Sequence, residues 1–268
     1  MRLHYAILDS DPVEKVIILK DDETVDLPTP NGPMRTHIFR PMLAGKYPGL
    51  VLFSEIFQVT GPIRRTAALL AGSGFVVAVP EIYHELERAG TVLPYDTAGA
   101  DRGNAHKTTK ELASYDADAR AALDFLKADP GCTGRLGVMG ICIGGHLAFR
   151  AAFNSDVLAA ACFYATDIHT RSLGRGMSDD TLDRMAEIKG EMLMVWGRQD
   201  PHVPREGRRL LYDAMNDASL LLQWHEFNAA HAFLRDEGPR YDPAVARTCY
   251  IMALELFGRR LGDGDARQ

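Results

Sequence analysis

Short apolar runs alternate along the chain with segments whose apolar residues recur at helical spacing. The runs GLVLFSE, FVVAVPE, RLGVM, LAAACFYA and EMLMVWG are almost continuously apolar, which is typical of strands buried on both faces of a sheet. The segments PIRRTAALLAGSGF, residues 108–128 and EGRRLLYDAMN show helical periodicity instead. This alternation predicts an α/β fold with a mostly parallel central sheet and helices on both faces.

The two ends of the chain extend this pattern. VEKVIILK and residues 34–40 predict strands joined by the turn-rich sequence DLPTPNGPM, so residues 1–33 form an expected extended N-terminal segment. SLLLQWHEF predicts the last strand and Pro243 to Leu261 the last helix, and we expect residues 262–268 to be a disordered tail. The sequence shows no internal repeat and no low-complexity linker. We therefore expect residues 1–268 to form one domain, with a core at about residues 36–261.

Two segments, residues 84–106 and 166–183, have no clear period. Both contain glycines, and each is long for a connection in a compact domain. We expect long loops or a cap there, because connections of this length usually carry function.

The segment GRLGVMGICIGGHLAFR joins a predicted buried strand to a predicted helix. At the junction lies Gly140-Ile141-Cys142-Ile143-Gly144, with cysteine at a position that more often holds serine. Glycines two residues to either side allow a sharp strand-to-helix turn, and the helix N-terminus favours a thiolate. The pattern predicts a nucleophilic Cys142; a buried structural cysteine in a glycine-rich turn is the alternative.

Polar residues follow two later strands. Asp200 comes after EMLMVWG, and His231 comes after SLLLQWHEF. Functional groups of parallel sheets gather at the carboxyl ends of strands, and the order nucleophile, acid, histidine is that of the α/β-hydrolase triad. We expect Cys142 to attack an acyl carbon, His231 to carry the proton and Asp200 to orient the imidazole. His202, directly after the acid, and His225, inside a strand, are the alternative bases.

Glu55 ends the strand GLVLFSE, at the position that usually supplies the second oxyanion donor. A carboxylate there would repel an oxyanion, which is unexpected for a serine hydrolase. The alternative is a solvent-exposed glutamate at a strand end.

Composition narrows the classes of function. The chain has 268 residues, of which 46% are hydrophobic and 25% charged, with a net charge of −6 and no basic stripe, so nucleic acid is not an expected partner. No run approaches the ~18 apolar residues of a membrane span, and the N-terminus lacks the apolar region of a signal peptide. The four cysteines lack CxxC spacing, which argues against disulfides and zinc and favours a cytoplasmic protein.

The segments LVLFSEIFQV, GFVVAVPEIYH, GVMGICIGGHLAFR, MVWGRQDPHVP and AAHAFLRDEGPRYDP together resemble the dienelactone hydrolase family. The resemblance runs from about Thr36 to Leu261. It implies an α/β-hydrolase fold, a triad of Cys142, Asp200 and His231, and no metal or organic cofactor.

The resemblance also implies how Glu55 and two backbone amides act. In the family, the carboxylate contacts the nucleophilic thiol in the resting enzyme. Substrate binding displaces the carboxylate, which takes the thiol proton and leaves a thiolate paired with imidazolium. The N–H groups of Ile143 and Ile56 would form the oxyanion hole. Repulsion is avoided because Glu55 would be neutral or displaced when the oxyanion forms.

Substrate-binding positions match the family only in part. Members that hydrolyse dienelactone hold the substrate carboxylate with two arginines, and Arg235 matches the one four residues after the histidine. The other follows the V-P-x-x-Y strand, where this chain has Tyr83, His84 and Glu85, and Glu85 would repel a carboxylate. Tyr83, His84 and Arg235 are the expected substrate-binding residues; an ion pair with a neighbouring acidic residue is the alternative for Arg235.

These observations predict a hydrolase that cleaves a small-molecule lactone, ester or thioester through an acyl-cysteine, as a monomer or homodimer. One alternative is a non-catalytic or regulatory protein that binds a small ligand in the same pocket; the complete triad argues against it. The other is a redox-sensing cysteine, which would need a resolving cysteine nearby.

Overall fold

An eight-stranded sheet organises the chain, and the computed structural model describes residues 19–262. The strands are β1 (Leu19–Thr29), β2 (Gly32–Pro41), β3 (Tyr47–Phe53), β4 (Val76–Pro80), β5 (Cys132–Ile141), β6 (Val157–Phe163), β7 (Glu191–Gly197) and β8 (Leu222–Phe227). The helices are α1 (Gly61–Gly72), α2 (Thr97–Thr109), α3 (Leu112–Ala128), α4 (Ile143–Ala151), α5 (Arg205–Asp217) and α6 (Pro243–Leu261), with a 3-10 turn at Met185–Glu187.

The spatial order of the strands is β1-β2-β4-β3-β5-β6-β7-β8. β2 runs antiparallel to both β1 and β4, whereas β4, β3, β5, β6, β7 and β8 pair in parallel. The predicted mostly parallel sheet is confirmed. The carboxyl ends of β3, β5, β7 and β8 therefore meet at one edge.

Alternating side chains of each strand enter two separate cores. In β3, Leu50 and Leu52 pack with α1 and α6 on one face, whereas Val51 and Phe53 pack with α3, α4 and α5 on the other. Each such side chain, fully buried, stabilises the fold by about 1.5–3 kcal/mol. Helices cover both faces, as predicted. None of the helices in residues 19–262 is long and apolar enough to cross a membrane.

The connection predicted for DLPTPNGPM is mostly strand. β1 continues to Thr29 and β2 begins at Gly32, so a two-residue turn joins them. Gly32 has φ +114°, which side chains rarely adopt, and Thr29 Oγ1 donates to Gly32 O at 2.7 Å. The prediction of a longer turn-rich connection is wrong. Residues 13–18 of the predicted strand VEKVIILK, and the tail beyond residue 262, lie outside the described residues.

Residues 84–106 are not a continuous loop, because α2 begins at Thr97. Asp96 starts this helix by accepting a hydrogen bond from Gly99 N at 2.8 Å. α2 lacks an apolar stripe and packs through glycine instead: a Cβ at Gly103 would lie 2.5 Å from Ile56 O. The helix predicted over residues 108–128 is interrupted at Lys110, after which α3 begins. Residues 166–183 are irregular, as predicted.

Candidate active site

Cys142 lies between the end of β5 and the start of α4, with φ 63° and ψ −125°. A non-glycine residue held in such a region costs about 1–3 kcal/mol, so its surroundings must impose the conformation. A Cβ at Gly140 would lie 1.8 Å from Gly144 O, and one at Gly144 would lie 2.2 Å from Phe53 O. The two glycines therefore permit the sharp turn that leaves the Cys142 side chain half-buried beside open space.

Asp200 and His231 follow β7 and β8 and meet beside Cys142. His231 Nδ1 lies 2.7 Å from Asp200 Oδ2, and Cys142 lies close enough to the same imidazole for its charge to raise the pKa of His231. Asp200 Oδ1 accepts the backbone N–H of His202 at 2.8 Å, which fixes the carboxylate. The structure thus brings the three predicted triad residues together in a thiol–imidazole–carboxylate chain.

The electrostatics of this chain favour a charged imidazole. Burial lowers the pKa of His231, but the negative charge of Cys142 and the hydrogen bond to Asp200 outweigh burial and raise that pKa to about 10. Burial raises the pKa of Asp200, yet its hydrogen bond with His231 brings the pKa below the usual value. The arrangement therefore stabilises the imidazolium form of His231.

The alternative bases occupy other positions. The His202 ring packs edge-on against His231, with 4.6 Å between ring centroids, and its pKa is lowered by burial and by the neighbouring His231 charge. His225 lies within β8, as predicted. Of these histidines, His231 is the one whose side chain is hydrogen-bonded to the Asp200 carboxylate within residues 19–262.

A cavity of about 200 Å³ opens over the thiol. We call it the Cys142 cavity. Its walls come from the end of β3, from α2, from the segment after β6 and from the segments after β7 and β8. The lining residues are Glu55, Ile56, Phe57, Ala100, Asn104, Lys107, Cys142, Thr166, Asp167, His202, His231, Arg235 and Arg240.

Glu55 is a buried member of this wall, with 2% of its surface exposed. The exposed strand-end alternative is therefore wrong. Its Oε2 accepts a hydrogen bond from Tyr95 Oη at 3.0 Å. Burial raises the pKa of Glu55, although the positive charges of Arg235 and His231 and the Tyr95 hydrogen bond oppose this shift. The raised pKa makes the Glu55 carboxylate more basic than that of an exposed glutamate.

Arg235 lines the Cys142 cavity and is not paired with its acidic neighbours. Its Nε donates to Glu237 O at 3.1 Å, and its guanidinium lies 4.3 Å from the centre of the Tyr95 ring. The side chains of Asp236 and Glu237 bind Arg65 instead, at 2.6 and 2.8 Å. The ion-pair alternative for Arg235 is therefore wrong, and its charge faces the cavity.

Tyr83 and His84 do not line the Cys142 cavity, contrary to the expectation that they bind substrate. Tyr83 is fully buried and donates to Gly103 O at 3.0 Å, which anchors α2 from behind. His84 Nε2 lies 3.1 Å from Asp118 Oδ1. The repulsion expected from Glu85 does not arise at the cavity, since Glu85 pairs with Lys110 Nζ at 2.7 Å. Lys110 thus binds the carboxylates of Glu85 and Asp118 away from the residues that line the cavity.

The set His84, Glu85, Lys110 and Asp118 forms what we call the Lys110 cluster. Donor atoms of the histidine and the two carboxylates lie within 4.8 Å of one another, a spacing that could hold a metal ion. The fully buried Lys110 ammonium already binds both carboxylates, at 2.7 and 2.5 Å. A lysine thus supplies the positive charge that a cation would bring.

Sequence reasoning missed Tyr95, Lys107 and Arg240. Lys107 binds Asp167 at 2.9 Å across the Cys142 cavity, and Arg240 adds a second exposed guanidinium to the wall that contains Arg235. Tyr95 lies in the aperiodic segment 84–106, and Lys107 and Arg240 lie outside every helix and strand predicted from the sequence, so spacing gave no signal. An extra arginine soon after His231 was the visible hint.

Comparison with known proteins identifies the family. The model of the dienelactone hydrolase family matches residues 34–261. The chain belongs to the dienelactone hydrolase family. A Saccharomyces cerevisiae protein provisionally named a carboxymethylenebutenolidase is 42% identical to this family member over 239 residues, covering 85% of the chain and 87% of the yeast protein. A carboxymethylenebutenolidase from Pseudomonas sp. is 27% identical over 215 residues, covering 80% and 86%. The resemblance inferred from the sequence is confirmed, and with it the hydrolase class.

Solved structures that superpose on this chain test the predicted fold. A Klebsiella pneumoniae protein provisionally named a dienelactone hydrolase superposes on this family member with a TM-score of 0.76 at 23% identity, covering 91% of this chain and 99% of the other. P91, a dienelactone hydrolase-like promiscuous phosphotriesterase from metagenomic libraries, gives 0.72 at 21% identity, covering 90% and 98%. The predicted α/β-hydrolase fold is confirmed.

Proposed function

We propose that this dienelactone hydrolase family member cleaves an ester, lactone or thioester of a small molecule through an acyl-cysteine at Cys142. The observation that carries the proposal is the convergence of the half-buried Cys142 thiol and the hydrogen-bonded His231–Asp200 pair at one cavity. A non-catalytic ligand-binding protein would have no need for that arrangement.

The reaction follows from these contacts in two steps. The Cys142 thiolate attacks the acyl carbon, the bond to the leaving oxygen or sulfur breaks, and His231 protonates the leaving group. Water then attacks the thioester, His231 takes a proton from that water, and the acid is released as the thiolate returns. Neither step needs a metal or an organic cofactor.

The negative oxygen of each tetrahedral intermediate needs hydrogen-bond donors. Ile143 is the first residue of α4, so its N–H has no acceptor within the helix and meets the positive end of the helix dipole. Ile56 follows Glu55 in the cavity wall and supplies the second N–H. Two such donors stabilise the transition state by about 3–4 kcal/mol each where the site excludes water.

Glu55 would take the thiol proton when substrate enters. Its burial raises its pKa, which makes the carboxylate a better proton acceptor than an exposed glutamate. Once protonated, it no longer repels the oxyanion, which removes the objection to a carboxylate in this position.

The charges of the Cys142 cavity favour a substrate that carries a carboxylate. Arg235 and Arg240 line the cavity, and their positive charges act on the Glu55 carboxylate in the same wall. The cavity volume of about 200 Å³ limits the substrate to a small molecule. The name carboxymethylenebutenolidase, borne by the relatives, describes hydrolysis of a small lactone with a carboxymethylene group, which agrees with this proposal.

The test is single-turnover and steady-state hydrolysis of carboxymethylenebutenolide and of a chromogenic neutral ester. Rapid acid quenching followed by mass spectrometry should place the acyl group on Cys142. Cys142→Ala should lower kcat/KM by more than about a thousandfold, and Cys142→Ser should be far weaker than wild type. Substantial turnover by Cys142→Ala would remove the nucleophile assignment. Ligand binding without turnover would favour the regulatory alternative.

The substrate class has its own test. Arg235→Ala should raise KM for carboxylate-bearing esters by about tenfold to a hundredfold, the equivalent of ~1.5–3 kcal/mol for a charge-assisted hydrogen bond, and should spare neutral esters. Arg247→Ala, an exposed arginine on α6, is the matched control. Equal losses on both substrates would mean that Arg235 has a structural role.

A further inference from the structure

Tyr95 joins the segment 84–106 to the buried carboxylate of Glu55. Its hydroxyl lies 3.0 Å from Glu55 Oε2 and 2.7 Å from Thr60 Oγ1. Its ring packs edge-on against Phe57 at 4.7 Å between centroids, and the Arg235 guanidinium lies 4.3 Å from its centre. Contacts on two sides of the ring and two hydrogen bonds fix where the hydroxyl points.

The direction of these hydrogen bonds follows from the charge on Glu55. An ionised carboxylate only accepts, so Tyr95 Oη–H donates to Glu55 and Thr60 Oγ1–H donates to Tyr95. Burial, together with the adjacent Glu55 charge, raises the pKa of Tyr95 far above its usual value. Tyr95 therefore remains a donor at every pH at which the enzyme works.

A carboxylate as buried as Glu55 stays ionised only if neighbouring groups stabilise its charge. Burial favours its neutral form, and the hydrogen bond from Tyr95 is among the contacts that oppose burial. The charged and titratable groups that face Glu55 from the surrounding elements are Tyr95, Cys142, Tyr164, His231, Arg235 and Arg240. Of the tyrosines in this set, Tyr95 is the one hydrogen-bonded to the carboxylate in the part of the chain that the structure describes.

We propose that Tyr95 is a positioning residue that keeps Glu55 ionised and holds its carboxylate in the wall of the Cys142 cavity until substrate enters. The inference rests on the proposed function of Glu55 as the acceptor of the thiol proton. On substrate binding, that proton moves from Cys142 Sγ to a carboxylate oxygen of Glu55, and Tyr95 neither gains nor loses one. The segment 84–106 thereby controls when the nucleophile is activated.

The substitution Tyr95→Phe keeps the ring and removes the donor. Glu55 should then be protonated at higher pH, so the acidic limb of kcat/KM should move up by about one pH unit, a tenfold change that is typical of a hydrogen bond to a charged group. A neutral Glu55 no longer repels a thiolate. Alkylation of resting Cys142 by iodoacetamide at pH 7 should therefore become several-fold faster while turnover becomes slower.

Two controls separate positioning from a general loss of packing. Tyr115 Oη donates to Lys107 O of α2 and so also holds this segment, without contacting Glu55. Tyr115→Phe should keep the wild-type pH profile and alkylation rate. In a Glu55→Gln background, Tyr95→Phe should cause no further change in alkylation, because the two residues act through one carboxylate.

A wild-type pH profile and alkylation rate in Tyr95→Phe would overturn the inference, as would an additive effect in the Glu55→Gln background. If Tyr95→Phe does not fold by circular dichroism, Thr60→Val replaces it. That change removes the donor that orients the Tyr95 hydroxyl and should move both readouts in the same direction by a smaller factor. Alkylation requires no turnover, so absence of hydrolysis would count against the proposed function alone.

Discussion

Two of the buried histidine–aspartate pairs within residues 19–262 differ in the third group that each pair contacts. His231 and Asp200 lie 2.7 Å apart, and His84 and Asp118 lie 3.1 Å apart. Both aspartates are almost fully buried. By residue type and distance alone, either pair could orient a catalytic imidazole.

The two pairs differ in the third group that each contacts, and this group indicates which pair is catalytic. The His231 pair meets the Cys142 thiol at the Cys142 cavity, on loops at the ends of parallel strands. The His84 pair belongs to the Lys110 cluster, where a buried ammonium neutralises both carboxylates. A histidine–carboxylate pair therefore indicates chemistry only when it faces a cavity and its charge is not already compensated.

The largest expected effect separates the two histidines. His231→Ala should lower kcat/KM by more than about a thousandfold, because nucleophile and base act as a unit. His84→Ala should change kcat by less than about threefold and should lower the unfolding midpoint, since it loses a buried hydrogen bond. Kinetics and urea unfolding on both variants test this contrast. If His84→Ala were as inactive as His231→Ala, the proposed functional difference between the two pairs would be wrong.

The second-largest expected effect concerns the buried Lys110 ammonium of the Lys110 cluster. Lys110→Met leaves Glu85 and Asp118 without their buried cation, and breaking such a pair costs about 3–5 kcal/mol of unfolding free energy. Urea denaturation monitored by tryptophan fluorescence measures the loss, with Lys189→Met, an exposed lysine, as the control. A loss below about 1 kcal/mol would show that the cluster is not a structural element.

A smaller effect tests the coupling between thiol and imidazole. The pKa of His231 is raised to about 10, and the charge of Cys142 is the largest influence in that direction. In Cys142→Ala, the imidazolium should lose its proton at lower pH, as followed by NMR of the ring nitrogens. The pKa of His231 in the folded protein exceeds its value near 6.5 in the unfolded chain. The charged imidazole therefore stabilises the fold fully below about pH 6.5, and this stabilisation is lost as the pH rises toward 10. An unchanged titration would contradict the thiolate–imidazolium pair.

The smallest expected effect concerns His202, which touches the triad without belonging to it. Its side chain packs against His231, while its contact with Asp200 is made through the backbone N–H. His202→Ala should therefore lower kcat by less than about tenfold, because the backbone contact survives. Steady-state kinetics decide the point: a loss comparable to that of His231→Ala would make His202 the base.

The sheet and the meeting of Cys142, Asp200 and His231 could be predicted because backbone geometry determines them. Strands buried on both faces must be apolar throughout, and the elbow requires glycine at 140 and 144, so each leaves a local signature. The positions of Asp200 and His231 follow, since parallel strands end at one edge of the sheet. Chain order and strand ends sufficed for these residues.

The far wall of the Cys142 cavity left no such signature. α2 packs through Gly99 and Gly103 against other backbone, so it needs no apolar stripe. The pairing of Glu85 with Lys110 joins residues 25 positions apart through tertiary packing, and an expectation based on adjacent residues placed Glu85 at the substrate. Contacts of this kind depend on the assembled fold.

Gly103 has a consequence for protein engineering. Because a Cβ there would lie 2.5 Å from Ile56 O, α2 rests directly on the main chain beside Glu55. The position of α2, one wall of the Cys142 cavity, is thus limited by how closely two backbones approach. Exchanging Gly103 for alanine or serine would lift α2, together with Asn104 and Lys107 that it contributes to the cavity wall, and would admit bulkier acyl groups. A library at this single position, screened with esters of increasing acyl size, would alter selectivity from outside the reaction centre.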